Sequence, residues 1–323
     1  MVRLRIPSLA LGFTLIAASI ALAQPEVDNL IQRSTDSIRR DDLAGAEQAY
    51  TKLSAMSGQA HVTGIIGLAG VLKAKQKHTE AVQLLRYEAS QSGNPEYSTI
   101  AGLFLFQKGL RDDASKELAP VLQKMRNGEK FTGSTLLTLA LVEQRLGDLE
   151  SALDAAHHAA EVLRTEGDRR WTSAGLLAAD ILEDSGQGIA AEMEFEFLVD
   201  AAPDDASVLN NYAYHFAVVN KKMAAALTYS KRSLEILPGN PPLLDTLGLI
   251  YIKMGRFEDA VPVLAQSWRA RPDNTVVRNH FAQALAKRPN PSKLLQDLLE
   301  NLRAEPTPTN TQEIFRLLTA IGQ

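Results

Sequence analysis

Three prolines set the register of this chain. Pro203, Pro238 and Pro272 stand 35 and 34 residues apart, each closing an apolar run with helical spacing and each followed by a polar or glycine pair. Proline cannot continue a helix, so each marks a helix end and a turn. A spacing of that length, met twice in succession, predicts a stack of similar units. With 45% hydrophobic and 22% charged residues, the 323-residue chain has the apolar content to bury a core.

The stretch from Pro241 to Asn274 reads PPLLDTLGLIYIKMGRFEDAVPVLAQSWRARPDN. Its apolar spacing predicts two amphipathic helices with a tight turn at Met254-Gly255-Arg256. Leu244, Leu247, Gly248 and Tyr251 share one face of the first, and Phe257, Ala260, Val261, Leu264 and Trp268 share one face of the second. Gly248 and Ala260 are small, which lets the two helices approach closely, while Tyr251 and Leu264 fill the space beside them. This segment resembles a tetratricopeptide repeat, a helix-turn-helix unit of about 34 residues. Leu247-Gly248, Tyr251, Gly255, Ala260, Leu264 and Pro272 fall where that family has its signature residues. Two positions depart from the pattern: Ser267 stands where alanine is preferred, and Pro262 lies inside the second helix.

The same frame carries upstream. Leu209, Tyr212, Ala213, Phe216, Ala226 and Pro238 fit from Ala206, with one inserted residue near Asn220; Ala178, Ala179, Leu182, Ala191, Phe195, Leu198 and Pro203 fit from Thr172. Weaker units are marked by Leu139-Ala140, Gly147 and Ala152, by Ala101-Gly102, Gly109, Ala114 and Leu118, and by Leu68-Ala69, Leu72, Ala81 and Leu85. Ala46, Tyr50 and Leu53 follow the polar turn Arg40-Asp41-Asp42 as a second helix would. Unit starts near 27, 62, 95, 133, 172, 206, 241 and 275 leave extra residues at Arg126 to Lys130 and at Thr165 to Arg170, expected as the softest loops.

The resemblance implies an all-α fold, a right-handed superhelical solenoid of about seven to eight tetratricopeptide units with C-terminal capping helices. The divisions are a degenerate N-terminal helix pair at 24–61, degenerate units at 62–171, well-matched units at 172–288 and capping helices at 289–323, formed by Leu294 to Leu302 and Ile314 to Ile321. An open stack needs a polar outer face on such a cap to stay in solution.

Residues 1–23 read as a signal peptide. Arg3 and Arg5 precede an uncharged run of 18 residues from Ile6 to Ala23, and the small residues Ala21 and Ala23 suit a signal peptidase that cuts after Ala23. The competing reading is an uncleaved anchor, since that length is near the minimum for a bilayer span. Pro7, Gly12, Thr14 and Ser19 argue against a permanent span. The expected location is the bacterial periplasm or the exterior, by the general secretory route, with no membrane span after cleavage.

Thirty-four basic against 38 acidic side chains give a net charge of −4, so no large positive field is available to hold nucleic acid. The absence of cysteine excludes disulfides, thiolate metal sites and a cysteine nucleophile. No HExxH, GxSxG, GxxxxGK or GxGxxG sequence occurs. His157 and Glu161 have the spacing of two metal ligands but no third nearby, and adjacent His157 and His158 point about 100° apart on a helix. Glu192 and Glu196, with Glu194 and Asp200, form an acidic cluster, read as solvated on one exposed face. Trp171 and Trp268 read as packing residues. No catalytic, cofactor or metal site is expected.

In a stack of this family the first helices line a concave face, so the resemblance implies that function lies there. The frame places Leu103, Phe106, Leu137, Leu141 and Gln144 on it toward the N-terminus, and Asn210, Tyr214, Asp245, Leu249, Lys253, Asn279 and Gln283 toward the C-terminus. The competing role for the apolar members is inter-helix core. The C-terminal set is the expected partner-binding groove, its amides suited to the backbone of an extended peptide. It lacks the clustered Lys and Arg with which family members grip a C-terminal carboxylate. The function so implied is a non-enzymatic periplasmic adaptor for another protein or peptide of the envelope, in envelope assembly, secretion or exopolysaccharide export. Two alternatives stand beside it. One is a helical-repeat enzyme, or enzyme subunit, acting on cell-wall glycans through residues such as Glu192 and Glu196. The other is a structural protein that assembles with itself as a homo-oligomer.

Overall fold

A computed structural model describes residues 25–288, 292–304 and 306–321; the signal peptide read at 1–23 lies outside the described residues. The described residues form seventeen helices and no strand. Two compact units divide the chain, one running to Ala191 and the other starting at Glu192. The first contains α1 (Pro25–Arg39), α2 (Leu43–Ser54), α3 (Gln59–Ala74), α4 (His78–Ser92), α5 (Pro95–Gln107), α6 (Arg111–Arg126), α7 (Gly133–Leu146), α8 (Leu149–Thr165) and α9 (Trp171–Asp184). The boundary falls within α10 (Gly188–Ala201), and the second unit continues with α11 (Ala206–Val219), α12 (Met223–Ile236), α13 (Pro241–Lys253), α14 (Phe257–Ala270), α15 (Thr275–Ala286), α16 (Lys293–Arg303) and α17 (Pro308–Ile321). The odd-numbered helices through α15 begin at 25, 59, 95, 133, 171, 206, 241 and 275, within three residues of the starts read from the sequence.

One backbone device closes seven helix pairs. The turn between the two helices places a residue in the left-handed region, at Asp41, Gln76, Gly109, Gly147, Gly186, Asn220 and Gly255. The next amide then reaches back five residues: Asp42 N donates to Ser37 O at 2.8 Å, Leu110 N to Leu105 O at 3.0 Å and Arg256 N to Tyr251 O at 2.8 Å, with the same bond in the other four. This satisfies a carbonyl that the helix end leaves without a partner. The insertion expected near Asn220 appears as a second left-handed residue, Lys222, at φ 46°.

The three proline turns start the next helix as well as ending the previous one. Asp205 accepts from Ser207 N and Val208 N, Asn240 from Leu243 N, and Asn274 from Val276 N and Val277 N, each capping the helix that follows.

Close approach within pairs depends on glycine at the contact. A Cβ on Gly248 would come within 2.4 Å of Leu264 Cγ, and one on Gly133 within 2.4 Å of Leu163 Cγ. Gly102 meets Leu118 in the same way. Leu118, Leu163 and Leu264 are fully buried, and each such leucine contributes about 1.5–3 kcal/mol by leaving water. Ser267, where the resembling family prefers alanine, is also fully buried; its hydroxyl donates to Pro241 O at 2.7 Å, so the buried hydroxyl has an acceptor and ties α14 to the start of α13.

Neighbours are joined at one repeat period. His280 bonds Asp245 and Arg111 reaches the carbonyls of Arg145 and Leu146, links spanning about one unit of sequence. Of the two loops expected to be soft, Thr165 to Arg170 is held: Arg170 makes a bidentate contact with Asp168 at 2.6 to 3.1 Å and donates to Ser134 Oγ at 3.0 Å.

At the C-terminal end α16 packs on α15 and α17 packs on α16, closing the stack with the two helices expected there. Trp268, Phe281, Leu298 and Leu317, all fully buried, join α14 to α17 in one core. Arg278 on α15 is 3% exposed, and its guanidinium donates to Leu302 O, Asn301 O and Ala304 O at 2.6 to 2.9 Å. A cation at that place answers the unpaired carbonyls and the negative dipole at the end of α16.

Candidate functional site

Within the second unit, α13 touches α11 on one side and α15 on the other, so three successive first helices form one face. Asn210, Asp245 and Asn279 occupy the fifth position of these helices, and Tyr214, Leu249 and Gln283 stand one turn further along on the same side. The sequence-derived groove residues of this unit therefore fall in two rows of three, with Lys253 one turn beyond Leu249.

Their surroundings differ. Asn210 is half-buried, and its Oδ1 is sealed from solvent yet accepts no hydrogen bond among the described residues. Tyr214 is half-buried, while Lys253, Asn279 and Gln283 are exposed. Leu249 is 8% exposed and so sits mostly in the core. Asp245 is engaged by His280, whose Nδ1–H donates to Asp245 Oδ1 at 2.9 Å. His280 was not singled out from the sequence. It lies beside Asn279 in the same turn, and a histidine one period from an aspartate was the available signal.

In the first unit, Leu103, Phe106 and Leu141 are half-buried against core clusters and Leu137 is 7% exposed. Gln144 is half-buried and donates to Asp180 Oδ2 at 2.7 Å. Burial pushes the Asp180 carboxyl above the usual aspartate range, with the Gln144 bond opposing. Arg111 lies 5.6 Å from the Phe106 ring centroid, where the positive guanidinium meets the aromatic face.

The acidic cluster on α10 is not simply solvated as the sequence reading had it. Lys222 Nζ bonds Glu192 Oε1 and stands 3.9 Å from Glu196 Oε1, while Tyr212 OH donates to Glu196 Oε1 at 3.3 Å. The Lys222 contact holds the Glu192 carboxyl below its ordinary range. Glu192 and Glu196 thus share one lysine in a surface network beside stacked Phe195 and Tyr212. Among the described residues no group of three His, Cys, Asp or Glu side chains lies together as metal ligands. His158 Nδ1 is tied to Asp154 O at 2.9 Å. Trp268 is fully buried in the second unit, and Trp171 is half-buried against the core of the first. No helix among the described residues is long and apolar enough to cross a membrane.

No family model matches the chain, and no curated protein is similar to it in sequence. Solved structures are similar in fold. A tetratricopeptide repeat protein from Parabacteroides merdae aligns with a TM-score of 0.51 at 15% identity, covering 81% of this chain and 100% of its own. A thermophilic repeat protein of the same kind from Thermus thermophilus aligns at 0.43 with 19% identity over 59% of this chain and 99% of its own. The C-terminal part of another, from Cytophaga hutchinsonii, aligns at 0.46 with 14% identity over 67% and 78%. The first of these agrees with the paired helices, the recurring left-handed turns and the glycine contacts: the chain has the tetratricopeptide-repeat fold.

Proposed function

We propose that this chain is a non-enzymatic interaction scaffold whose α11, α13 and α15 face receives an extended segment of another protein. The observation that carries the reading is the exposed polar row of that face. Asn279 and Gln283 offer solvent-facing amides one turn apart on α15, and Lys253 an exposed cation on α13, so the face is polar enough to bind a backbone and not only apolar side chains. The leader-like residues 1–23 support export to the periplasm and a partner in the cell envelope, in assembly, secretion or exopolysaccharide export. The Lys222 contact that keeps Glu192 ionised weighs against its serving as a general acid on glycans.

The test is in-cell crosslinking from a photoreactive residue at Tyr214, followed by capture and mass spectrometry. One dominant envelope protein, lost when Asn210→Ala and Asn279→Ala are combined, is the expected result. Crosslinks to further copies of the chain alone would replace the scaffold with a self-assembling protein.

A further inference from the structure

The groove between α1 and α2 holds a half-open cavity of about 220 Å³. Leu30 and Ala49, both buried, form its apolar floor. Arg33, Ser37 and Arg40 enter from the α1 side at spacings of four and three residues, and Gln48 and Lys52 from α2 at a spacing of four. These spacings place each set on one helix face, so three cations converge on a single space. None of the three cationic side chains makes an ion pair or hydrogen bond among the described residues. The one carboxylate on the wall, Asp36, is engaged elsewhere: Arg39 Nη1 stands 3.5 Å and Gln32 Nε2 3.1 Å from its Oδ1, and neither of those residues lines the cavity.

A second cavity of about 290 Å³, between α4 and α6, provides the contrast. It also has cations on its wall, but Arg86 pairs with Glu117 at 2.8 Å and Lys124 donates to Gly93 O at 2.8 Å. There each cation has a negative or carbonyl partner; in the α1–α2 groove Asp36 is the one carboxylate on the wall against three cations, and among the described residues it pairs with none of them. An end cap requires polarity for solubility, which neutral or mixed charges provide equally well. Three like charges in one small space repel one another until an anion joins them.

We propose that the α1–α2 groove is a binding site for a small phosphate-bearing ligand. Two guanidinium forks match tetrahedral oxyanions bidentately, and Lys52 adds a point charge. Gln48 provides a neutral donor, while the Ser37 hydroxyl is partly held by Asp42 Oδ2 at 3.4 Å. Three positive charges against the one carboxylate of Asp36 leave two in excess, which balance a dianion better than a singly charged carboxylate ligand. The volume lies below the usual range of drug-sized pockets, which favours a ligand no larger than a diphosphate or a simple phosphate monoester. This site is separate from the α11, α13 and α15 face and does not depend on its function.

The test is calorimetric titration of the full chain with inorganic pyrophosphate at physiological ionic strength, with parallel flotation on neutral vesicles and on vesicles carrying phosphatidic acid. The wild-type chain is expected to bind saturably in at least one arm; binding to free pyrophosphate assigns a soluble ligand, and binding only to phosphatidic acid assigns a lipid headgroup. The combined variant Arg33→Gln, Arg40→Gln, Lys52→Gln should bind at least about tenfold more weakly, from the loss of several charge-assisted bonds. Arg86→Gln with Lys124→Gln should bind as wild type. Circular dichroism checks that helix content is unchanged in both. No saturable binding in either arm, or equal binding by the triple variant, overturns the site.

Discussion

Gly248 and Leu264 meet so closely that the leucine side chain occupies the place of the glycine's missing β-carbon. That contact sets the distance between α13 and α14. Gly248→Leu should destabilise the second unit by roughly 1–3 kcal/mol through overpacking. The smaller change Gly248→Ala should be partly rescued by Leu264→Ala, which reopens the space, so the two substitutions should be non-additive in a denaturant double-mutant cycle. Additive losses would mean that the two side chains do not share the space.

Glu143, at the end of α7, should make stability fall as pH rises through neutrality. The side chain is 3% exposed and its Oε1 accepts no hydrogen bond among the described residues. Burial first, and then the charge of Asp148, push its pKa from 4.5 up to about 7, with Arg126 opposing. The folded state therefore holds this proton more tightly than the unfolded chain. The stabilisation is full below about pH 4.5, shrinks as pH rises and is gone above about 7, a change of up to about 3 kcal/mol. Glu143→Gln should melt at nearly the same temperature at pH 5 and pH 8, and above wild type at pH 8. A wild-type melting temperature that does not fall across that range would rule this out.

Arg278 should govern the last two helices. Its guanidinium holds three carbonyls at the end of α16. Arg278→Ala leaves them without donors and should cost about 2–5 kcal/mol. In hydrogen exchange, amides of Lys293–Arg303 should lose protection before those of α11. Uniform loss across the second unit would instead mean that the arginine supports the whole unit and not this junction.

Gln76 occupies a left-handed turn at φ 64°, where the matching turns carry Gly109, Gly147, Gly186 and Gly255. A side chain in this region costs roughly 1–2 kcal/mol, offset in part by glycine's greater unfolded-state freedom. Gln76→Gly should therefore raise the stability of the first unit by a few tenths to about 1 kcal/mol, read from the denaturant midpoint. A lower midpoint would show that the glutamine side chain contributes more than its backbone costs.

The sequence carries the helix pairs because proline, glycine and apolar spacing act locally: Pro203, Pro238 and Pro272 stop helices, and Gly248 admits Leu264, whatever lies elsewhere. The caps at Asp205, Asn240 and Asn274 are also local, an Asx residue directly before each helical run, but the prolines point to the helix ends and the caps emerge with the structure. Links between neighbours were harder to read. Nothing near Arg278 indicates that its acceptors are the carbonyls of residues 301, 302 and 304, and nothing near Glu192 indicates Lys222 thirty residues on. Such pairs depend on how one helix lies against the next, and many side chains could fill either place. The α1–α2 groove escaped for a related reason: Arg33 and Lys52 share a cavity only once their helices are side by side.

The period-long links, such as His280 to Asp245, have a consequence for how such a chain can grow. Residues 241–274 behave as a cassette, bordered on each side by a proline and an asparagine that caps whatever helix comes next. Copied in tandem, the cassette would present to its own duplicate the same borders that it presents to its neighbours now. The gene could lengthen by whole units, and the rest of the second unit would keep the partners it has.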